Sequence, residues 1–199
     1  MTRPSTLLDC DGLILAGGKG QRAGGNDKGL LSWRGQPLAQ HIQSTFAKTC
    51  ERVLISCNRN AAQYQRMTPF VFPDAWGEFA GPLAGIYSAQ PHMSKEWLLI
   101  SPCDTPLLTP EYALRMFAGR RDNLISIAWD GERLQYLHCL LPASSFEDIL
   151  RYLQSDGRSV KRWLDSRPLQ RIDFSDRPEM FYNINTLDEL AHLDSSQGQ

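Results

Sequence analysis

Short apolar runs alternate with amphipathic stretches along most of this chain. The stretches place apolar residues on one face of a period of about 3.6 residues, which predicts helices, and the runs between them predict strands. Strands that are apolar throughout and alternate with helices are typical of a mostly parallel sheet with helices on both faces. In the first half of the chain, strands are predicted at residues 12–15, 52–57, 69–72 and 97–101, and helices at residues 37–49, 61–67 and 82–92, the first with Pro37 at its first helical position.

The second half of the chain continues this pattern and adds one hairpin. The runs "LISIAW" and "LQYLHCLL" flank Asp130-Gly131, a dipeptide typical of tight turns, and predict a pair of strands. Helices are predicted from Pro110 to about Gly119 and at residues 145–154, 159–165 and 186–192. No linker, low-complexity tract or internal repeat divides the 199 residues. The expected fold is therefore a single α/β domain, a Rossmann-like three-layer sandwich.

Composition and charge argue against several other classes of protein. The formal net charge of −1 gives no general attraction to nucleic acid or to a membrane surface, so an anion site must be local. The five cysteines include no C-x-x-C pair, which argues against a zinc site and a disulfide framework. Asp9 and Asp11 interrupt the apolar run near the N-terminus, and no run approaches the ~18 apolar residues of a membrane span. We expect a soluble, cytoplasmic protein with reduced thiols.

The first predicted strand ends in a loop rich in glycine and positive charge. The stretch "LILAGGKGQRAGGNDKGLL" covers residues 13–31 and holds five glycines between positions 17 and 25. Ligands of an α/β sheet bind at the carboxyl ends of its strands, and glycine lets backbone N–H groups form a concave nest for phosphate. Lys19, Arg22 and Lys28 would add positive charge to such a nest. The loop predicts a phosphate site, and a solvated surface loop is the alternative.

This loop differs from the two common phosphate-binding motifs. No G-K-[ST] follows the glycines, which excludes a Walker A motif. The run "GKGQRA" at residues 18–23 matches the dinucleotide fingerprint G-x-G-x-x-A, but that fingerprint opens directly into a helix, whereas residues 24–27 intervene here. Cys57-Asn58 stands where a dinucleotide fold needs an acidic residue.

A longer string gives a more specific match. "LAGGKGQRAGGNDK" fits the pattern L-A-G-G-x-x-x-R-x-G-x-x-D-K and resembles nucleotidyltransferases that activate sugars and cofactors, in particular the molybdenum cofactor guanylyltransferases. Three further motifs stand in the order of that family: "GPLAGI" at residues 81–86, "SPCDTPLL" at 101–108 and "NINTLDEL" at 183–190. Ala23 departs from the family's usual methionine. The resemblance implies a nucleotide-diphospho-sugar-transferase-like fold, with a nucleotide- and metal-binding half at roughly residues 10–108 and an acceptor-binding half at 109–199.

Asp104 is the candidate metal ligand. It lies between two prolines in the turn "PCDTP" after a predicted strand, and the prolines stiffen that turn. A single hard oxygen ligand at this edge of the sheet suits Mg²⁺, which completes its shell with phosphate oxygens and water, and Mn²⁺ is a possible substitute. An aspartate that only caps a turn or a helix is the other interpretation.

The resemblance implies roles in GTP binding for other residues. Lys28 would lie against the triphosphate, and Arg22 would stabilise the leaving pyrophosphate. Asn58 and Asp74 each follow a predicted strand, and an acceptor such as Asp74 suits the N1–H and amino donors of guanine. Solvated charges and ordinary turn residues are the alternatives. Further contacts to the nucleotide, a metal-bound water or the acceptor are expected from Leu15, Ala16, Gly17, Gly18, Gly81, Gly85, Asn183 and Asn185.

Several of these positions also have a purely structural interpretation. Close helix packing is the alternative for Gly81 and Gly85, and a helix N-cap is the alternative for Asn185. The basic stretch "GRSVKRWL" at residues 157–164 is interpreted as a solvated face, and contact with a pterin phosphate is its alternative. Residues predicted to be buried without a chemical role are Cys57, Cys103, Cys139 and His138.

The resemblance implies transfer of GMP from GTP to the phosphate of molybdopterin, with release of pyrophosphate. A phosphate monoester has its second pKa near ~6 and is largely ionised at neutral pH, so no general base is required. Positioning and charge neutralisation would then carry catalysis. Two other functions stay open: a cytidylyl- or sugar-phosphate nucleotidyltransferase with the same loop and Mg²⁺ site, and a non-catalytic module that binds nucleotide or molybdopterin. Transient contacts with cofactor-insertion proteins and molybdoenzymes are also expected.

Overall fold

The computed structural model of the chain describes residues 7–16, 27–76, 81–184 and 189. The strands in this part of the chain are β1 (Asp11–Leu15), β2 (Ser32–Trp33), β3 (Gln36–Pro37), β4 (Val53–Ser56), β5 (Val71–Phe72), β6 (Trp97–Pro102), β7 (Ile125–Trp129), β8 (Leu134–Pro142) and β9 (Leu169–Asp173). The helices are α1 (Leu38–Phe46), α2 (Ala61–Tyr64), α3 (Pro82–Ser88), α4 (Pro110–Ala118), α5 (Phe146–Gln154) and α6 (Val160–Asp165).

Seven of these strands form one sheet in the order β5-β4-β1-β6-β8-β7-β9. β8 runs antiparallel to β6 and β7, and the other neighbouring pairs are parallel. β1 lies inside the parallel part, where Ile14 pairs with Ile55 on one side and with Ser101 on the other. The predicted mostly parallel sheet is therefore confirmed, and the predicted strand pair around Asp130 is β7 and β8.

The core consists of two apolar layers, one on each face of the sheet. Ile14 faces the layer that holds Phe46 of α1 and Tyr112 of α4. Leu13 faces the opposite layer, which contains side chains of α3, α5 and α6, including the fully buried Trp163. Successive residues of a strand point to opposite faces, so a strand apolar at every position fits between two helical layers. This arrangement confirms the predicted three-layer sandwich.

Several predicted helices are shorter in the structure. α1 begins at Leu38, so Pro37 is the residue before the helix and not its first helical residue. α3 ends at Ser88, and a separate 3-10 turn follows at Gln90–His92. Pro91 lies in that turn, where its missing N–H prevents continuation of the α-helical hydrogen bonds. The predicted helix at 186–192 falls mostly outside the described residues.

Two strand pairings were not predicted from the sequence. β9 has only two apolar residues, Leu169 and Ile172, and lies at the edge of the sheet, so it lacks the continuous apolar run of the inner strands. β2 and β3 form a separate hairpin whose two-residue turn is Arg34-Gly35, with φ of 49° and 76°. Positive φ at both turn positions is typical of a tight hairpin, but Arg-Gly is a weaker sequence signal than Asn-Gly or Asp-Gly.

Candidate active site

The carboxyl ends of four neighbouring strands form the edge that carries most of the candidate residues. β1 ends between β4 and β6, where the Ala16 N–H donates to the Ser56 carbonyl over 2.9 Å. On the other side, the Cys103 N–H donates to the Leu15 carbonyl over 3.1 Å. The loops that carry Asn58, Asp74 and Asp104 therefore start from adjacent positions. Gly17, Gly18, Arg22 and Asn185, which were also predicted here, lie outside the described residues.

Asp104 and Lys28 meet at this edge. The Lys28 Nζ lies 3.2 Å from the Asp104 Oδ2, and both side chains are largely buried. The other oxygen of Asp104, Oδ1, is buried and has no hydrogen-bond donor among the described residues. Burial raises the pKa of Asp104, and the nearby Lys28 ammonium opposes that rise. Within the described part of the chain, this carboxylate thus has one oxygen held by a cation and one without a hydrogen-bond donor.

The donor set around Asp104 fits Mg²⁺ better than Zn²⁺. Within the described residues, no group of three or more His, Cys, Asp and Glu side chains could hold a metal ion. Zinc sites need three or four such ligands, whereas Mg²⁺ is held by one or two carboxylates together with phosphate oxygens and water. The buried Asp104 Oδ1, which has no donor among the described residues, fits the role of a single carboxylate ligand of this kind.

Asp27, the residue before Lys28, is a buried carboxylate that the sequence analysis did not identify. Its Oδ1 accepts hydrogen bonds from the Tyr64 hydroxyl over 2.6 Å and from the Gly29 N–H over 3.2 Å. Its Oδ2 accepts from the Asn60 amide over 3.0 Å and lies 3.8 Å from the Arg59 Nε. The Asp-Lys dipeptide at the end of the glycine-rich loop was the sequence signal available for Asp27. Its contacts with Asn60 and Tyr64 form only when the chain folds and α2 packs against this segment.

Asp74 and Asn58 form a reciprocal pair. The Asn58 amide donates to the Asp74 Oδ2 over 2.8 Å, and the Asp74 N–H donates to the Asn58 Oδ1 over 2.9 Å. The buried Ser56 hydroxyl donates to the Asp74 Oδ1 over 2.8 Å. Donors on both oxygens fix the orientation of this carboxylate and leave lone pairs for a ligand. Ser56 was not predicted, because a serine in an apolar strand gives no functional signal.

Gly85 lets α3 approach this pair closely. A Cβ at this position would lie 2.7 Å from the Ser56 Oγ and 3.0 Å from the Asp74 Oδ1, so any side chain would displace one of them. Gly81, immediately before α3, has φ of +85°, a conformation that favours glycine. A Cβ there would lie 3.3 Å from the Arg158 carbonyl. Local geometry thus explains both glycines, Gly85 through its close approach to Asp74 and Gly81 through its backbone conformation.

Ile184, the residue after Asn183, contacts Asp104. The Ile184 N–H donates to the Asp104 carbonyl over 2.8 Å, and the Ile184 side chain packs against Trp33 and Leu38. Asn183 itself is exposed to solvent. Asn183 and Ile184, the first two residues of the C-terminal motif, therefore lie next to the loop that carries Asp104, and the role of Asn183 stays a prediction.

The residues that were predicted only to pack are buried. Burial raises the pKa of the Cys57 thiol to about 11, which makes this cysteine a poor nucleophile at neutral pH. Burial lowers the pKa of His138 to about 3, so its imidazole is neutral, and its Nε2 lies 3.1 Å from the Thr105 hydroxyl. All five cysteines are buried and none forms a disulfide. In the basic stretch, the exposed Lys161 pairs with Asp165 over 2.7 Å.

Comparison with known proteins agrees with this geometry. The family model of the MobA-like NTP transferase domain matches residues 12–172. A molybdenum cofactor guanylyltransferase of Acidovorax sp. (strain JS42) is 37% identical over 94% of this chain and 95% of that protein. One of Cupriavidus metallidurans is 38% identical over 95% of this chain and 96% of that protein.

A solved structure shows the same fold. The molybdopterin-guanine dinucleotide biosynthesis protein A of Archaeoglobus fulgidus superposes with a TM-score of 0.76 over 94% of this chain and 97% of that one, at 18% identity. No helix in the described ranges is long and apolar enough for a membrane span. Since the family model covers most of the chain and the relatives align over nearly its full length, the chain belongs to the MobA-like NTP transferase family, among the molybdenum cofactor guanylyltransferases.

Proposed function

We propose that this protein transfers GMP from GTP to the phosphate of molybdopterin and releases pyrophosphate. Membership of the family and the names of the relatives support this reaction. The structural observation that carries the proposal is the Lys28–Asp104 pair, because it joins a cation and a carboxylate with one unpartnered oxygen directly after the glycine-rich loop. Such a pair is suited to a triphosphate with a divalent cation.

The proposed reaction is an in-line attack of the molybdopterin phosphate on the α-phosphorus of GTP. This nucleophile is already ionised at neutral pH, so the chain needs no general base, and its task is to bring two polyanions together. Lys28 contacts the triphosphate, Arg22 stabilises the departing pyrophosphate, and the backbone of Gly17 and Gly18, which follows Leu15 and Ala16 at the end of β1, is assigned to the phosphates. The Lys28 ammonium also orients Asp104 and favours its ionised form.

Asp104 would hold Mg²⁺, or Mn²⁺ in its place, through its unpartnered oxygen. When bound, the metal ion supplies positive charge that neutralises the phosphate oxygens. The described residues offer no group of three or more His, Cys, Asp and Glu side chains here, which leaves the remaining positions to phosphate and water. The chain's contribution is to hold this carboxylate at the sheet edge through β6 and through the Ile184 hydrogen bond.

The guanine base is assigned to the Asp74 pair. The N1–H and the exocyclic amine of guanine are adjacent donors, and an oriented carboxylate provides matching acceptors. Asn58 orients that carboxylate, Gly85 allows α3 to pack directly against it, and Gly81 supplies the positive φ before that helix. Asn183 and Asn185 are assigned to the acceptor side. The nucleotide half at residues 10–108, the acceptor half at 109–199, the partner proteins and a cytoplasmic location stay predictions.

The first test is pyrophosphate release from each of GTP, CTP, ATP and UTP with Mg²⁺ and molybdopterin. We expect release with GTP alone, loss of release in Asp104→Ala, and unchanged release in Asp122→Ala, which removes an exposed aspartate away from the site. Preference for CTP would support the cytidylyltransferase alternative, which the names of the relatives do not favour. GTP binding without any Mg²⁺-dependent release would support the non-catalytic module.

A further inference from the structure

The carboxylate of Asp27 is enclosed by donors from two separate parts of the chain. Gly29 donates from the turn that carries Lys28, while Asn60 and Tyr64 donate from the start and end of α2. The Tyr64 bond, at 2.6 Å, joins two buried residues that are 37 positions apart. A buried carboxylate is stable only when its oxygens are satisfied, so this cluster has one strongly preferred arrangement.

The cluster fixes the backbone on both sides of Lys28. Asp27 is the N-cap of the 3-10 turn Lys28–Leu30, where its side chain accepts from the Gly29 N–H and its carbonyl accepts from the Leu30 N–H over 3.0 Å. Lysine has a long side chain whose ammonium can occupy many positions. Fixing the lysine backbone therefore limits where its ammonium can meet Asp104 and the phosphates.

The space around the cluster supports the same conclusion. A Cβ at Gly29 would lie 2.4 Å from the Tyr64 hydroxyl oxygen, so the turn can approach Tyr64 only because this residue is glycine. Tyr64 is fully buried, and burial raises the pKa of its phenol, which keeps the hydroxyl protonated as a donor. Asn60 has φ of 56°, a left-handed conformation that asparagine tolerates.

We propose that Tyr64 and Asn60 are positioning residues for the nucleotide: through Asp27 they hold Lys28 where it contacts Asp104 and the triphosphate. This inference rests on the proposed function, since it assigns Lys28 to the triphosphate. Neither residue touches the substrate in this scheme. They act on the Lys28 ammonium through the Asp27 carboxylate.

The test compares Tyr64→Phe with Tyr112→Phe. Both variants remove a hydroxyl from a buried tyrosine, and the Tyr112 hydroxyl donates over 2.7 Å to the Ile100 carbonyl away from Lys28. We expect kcat/KM for GTP to fall about tenfold in Tyr64→Phe, as for loss of a hydrogen bond to a charged group, and to stay within about twofold in Tyr112→Phe. Equal effects in the two variants would overturn the inference.

A double-mutant cycle with Lys28→Met shows whether the effect passes through the lysine. We expect Tyr64→Phe to change kcat/KM by less than about twofold when Lys28 is already replaced, because the effects of substitutions at two interacting residues are not additive. A further tenfold fall in that background would overturn the inference while leaving the role of Lys28 intact. If Lys28→Met alone kept full GTP turnover, the proposed function of Lys28 would fail, and the inference with it.

Asn60→Gly is the second variant, in case Tyr64→Phe does not fold. Asn60 is exposed, and glycine keeps its positive φ while removing the donor to the Asp27 Oδ2. We expect kcat/KM for GTP to fall about threefold, with no further fall in the Lys28→Met background. An unchanged kcat/KM in Asn60→Gly would overturn its assigned role.

Discussion

The Lys28 ammonium and the Asp104 carboxylate lie 3.2 Å apart although the two residues are 76 positions apart in the chain. Lys28 comes from the turn after the glycine-rich loop, and Asp104 comes from the loop after β6. Because β1 and β6 are parallel neighbours, the segments that follow them leave the sheet at the same edge. A cation and a carboxylate from two motifs thus form a single site.

Asp104→Asn is expected to remove most of the metal-dependent activity. The amide keeps the size of the side chain but loses the charge that would attract a divalent cation. At saturating GTP and fixed Mg²⁺, we expect pyrophosphate release to fall about 100-fold, the scale of losing one electrostatic contact at a reacting phosphate. Titration with Mg²⁺ checks the cause, since a higher Mg²⁺ requirement identifies Asp104 as a ligand. Wild-type activity in the presence of excess EDTA would contradict this assignment.

Ser56→Ala is expected to weaken GTP binding without changing the chemical step. The variant removes the donor that holds the Asp74 Oδ1, so the carboxylate loses its fixed orientation. We expect KM for GTP to rise about threefold to tenfold and kcat to stay within about twofold. Ser126→Ala is the matched control, because Ser126 is buried in β7 and its hydroxyl has no partner in the described structure. The same KM in both variants would argue against a role of Asp74 in base binding.

Gly85→Ala is expected to disturb the same carboxylate by steric overlap. The added methyl group would meet the Ser56 Oγ and the Asp74 Oδ1, so at least one must move. We expect KM for GTP to rise about tenfold, measured as initial rates of pyrophosphate release. Gly119→Ala is the control, since its Cβ would meet the end of the Ile172 side chain at 2.6 Å and the Arg115 carbonyl at 3.3 Å, away from the site. A comparable rise in the control would show a general packing defect.

His138 is expected to make the free energy of unfolding fall at acidic pH. Burial lowers its pKa from an ordinary value of 6.5 to about 3 in the folded chain. Below pH 6.5 the unfolded chain therefore binds a proton at this histidine that the folded chain does not bind. The free energy of unfolding then decreases as the pH is lowered, down to a pH of about 3. From pH 7.5 to pH 5 this group should cost about 2 kcal/mol.

Urea unfolding at these two pH values checks the prediction in wild type and in His138→Gln. The glutamine variant has no group that titrates in this range at that position, so its loss of stability should be smaller by about 2 kcal/mol. Taking the difference between the two proteins removes the contributions of other titrating groups. Parallel pH dependences would show that His138 is not buried in its neutral form.

The strands and helices were largely predictable because their signals are local. The apolar run of β6 and the helical period of α4 are properties of consecutive residues, and both elements lie within one residue of the predicted bounds. Pro91 explains why α3 is shorter than predicted, and this effect is also local. β9 was missed because an edge strand needs few apolar residues, and its identity depends on pairing with β7.

The chemistry of the site was readable from residue types, whereas its contacts were not. A glycine-rich loop ending in Asp-Lys, and an aspartate between prolines, indicate phosphate and metal binding wherever the chain brings them. No short-range pattern connects Asp27 to Tyr64 or Ser56 to Asp74, because these pairs form only when separate elements pack at one sheet edge. Residue order thus indicated the candidate residues of the site, and tertiary packing decided which side chains orient them.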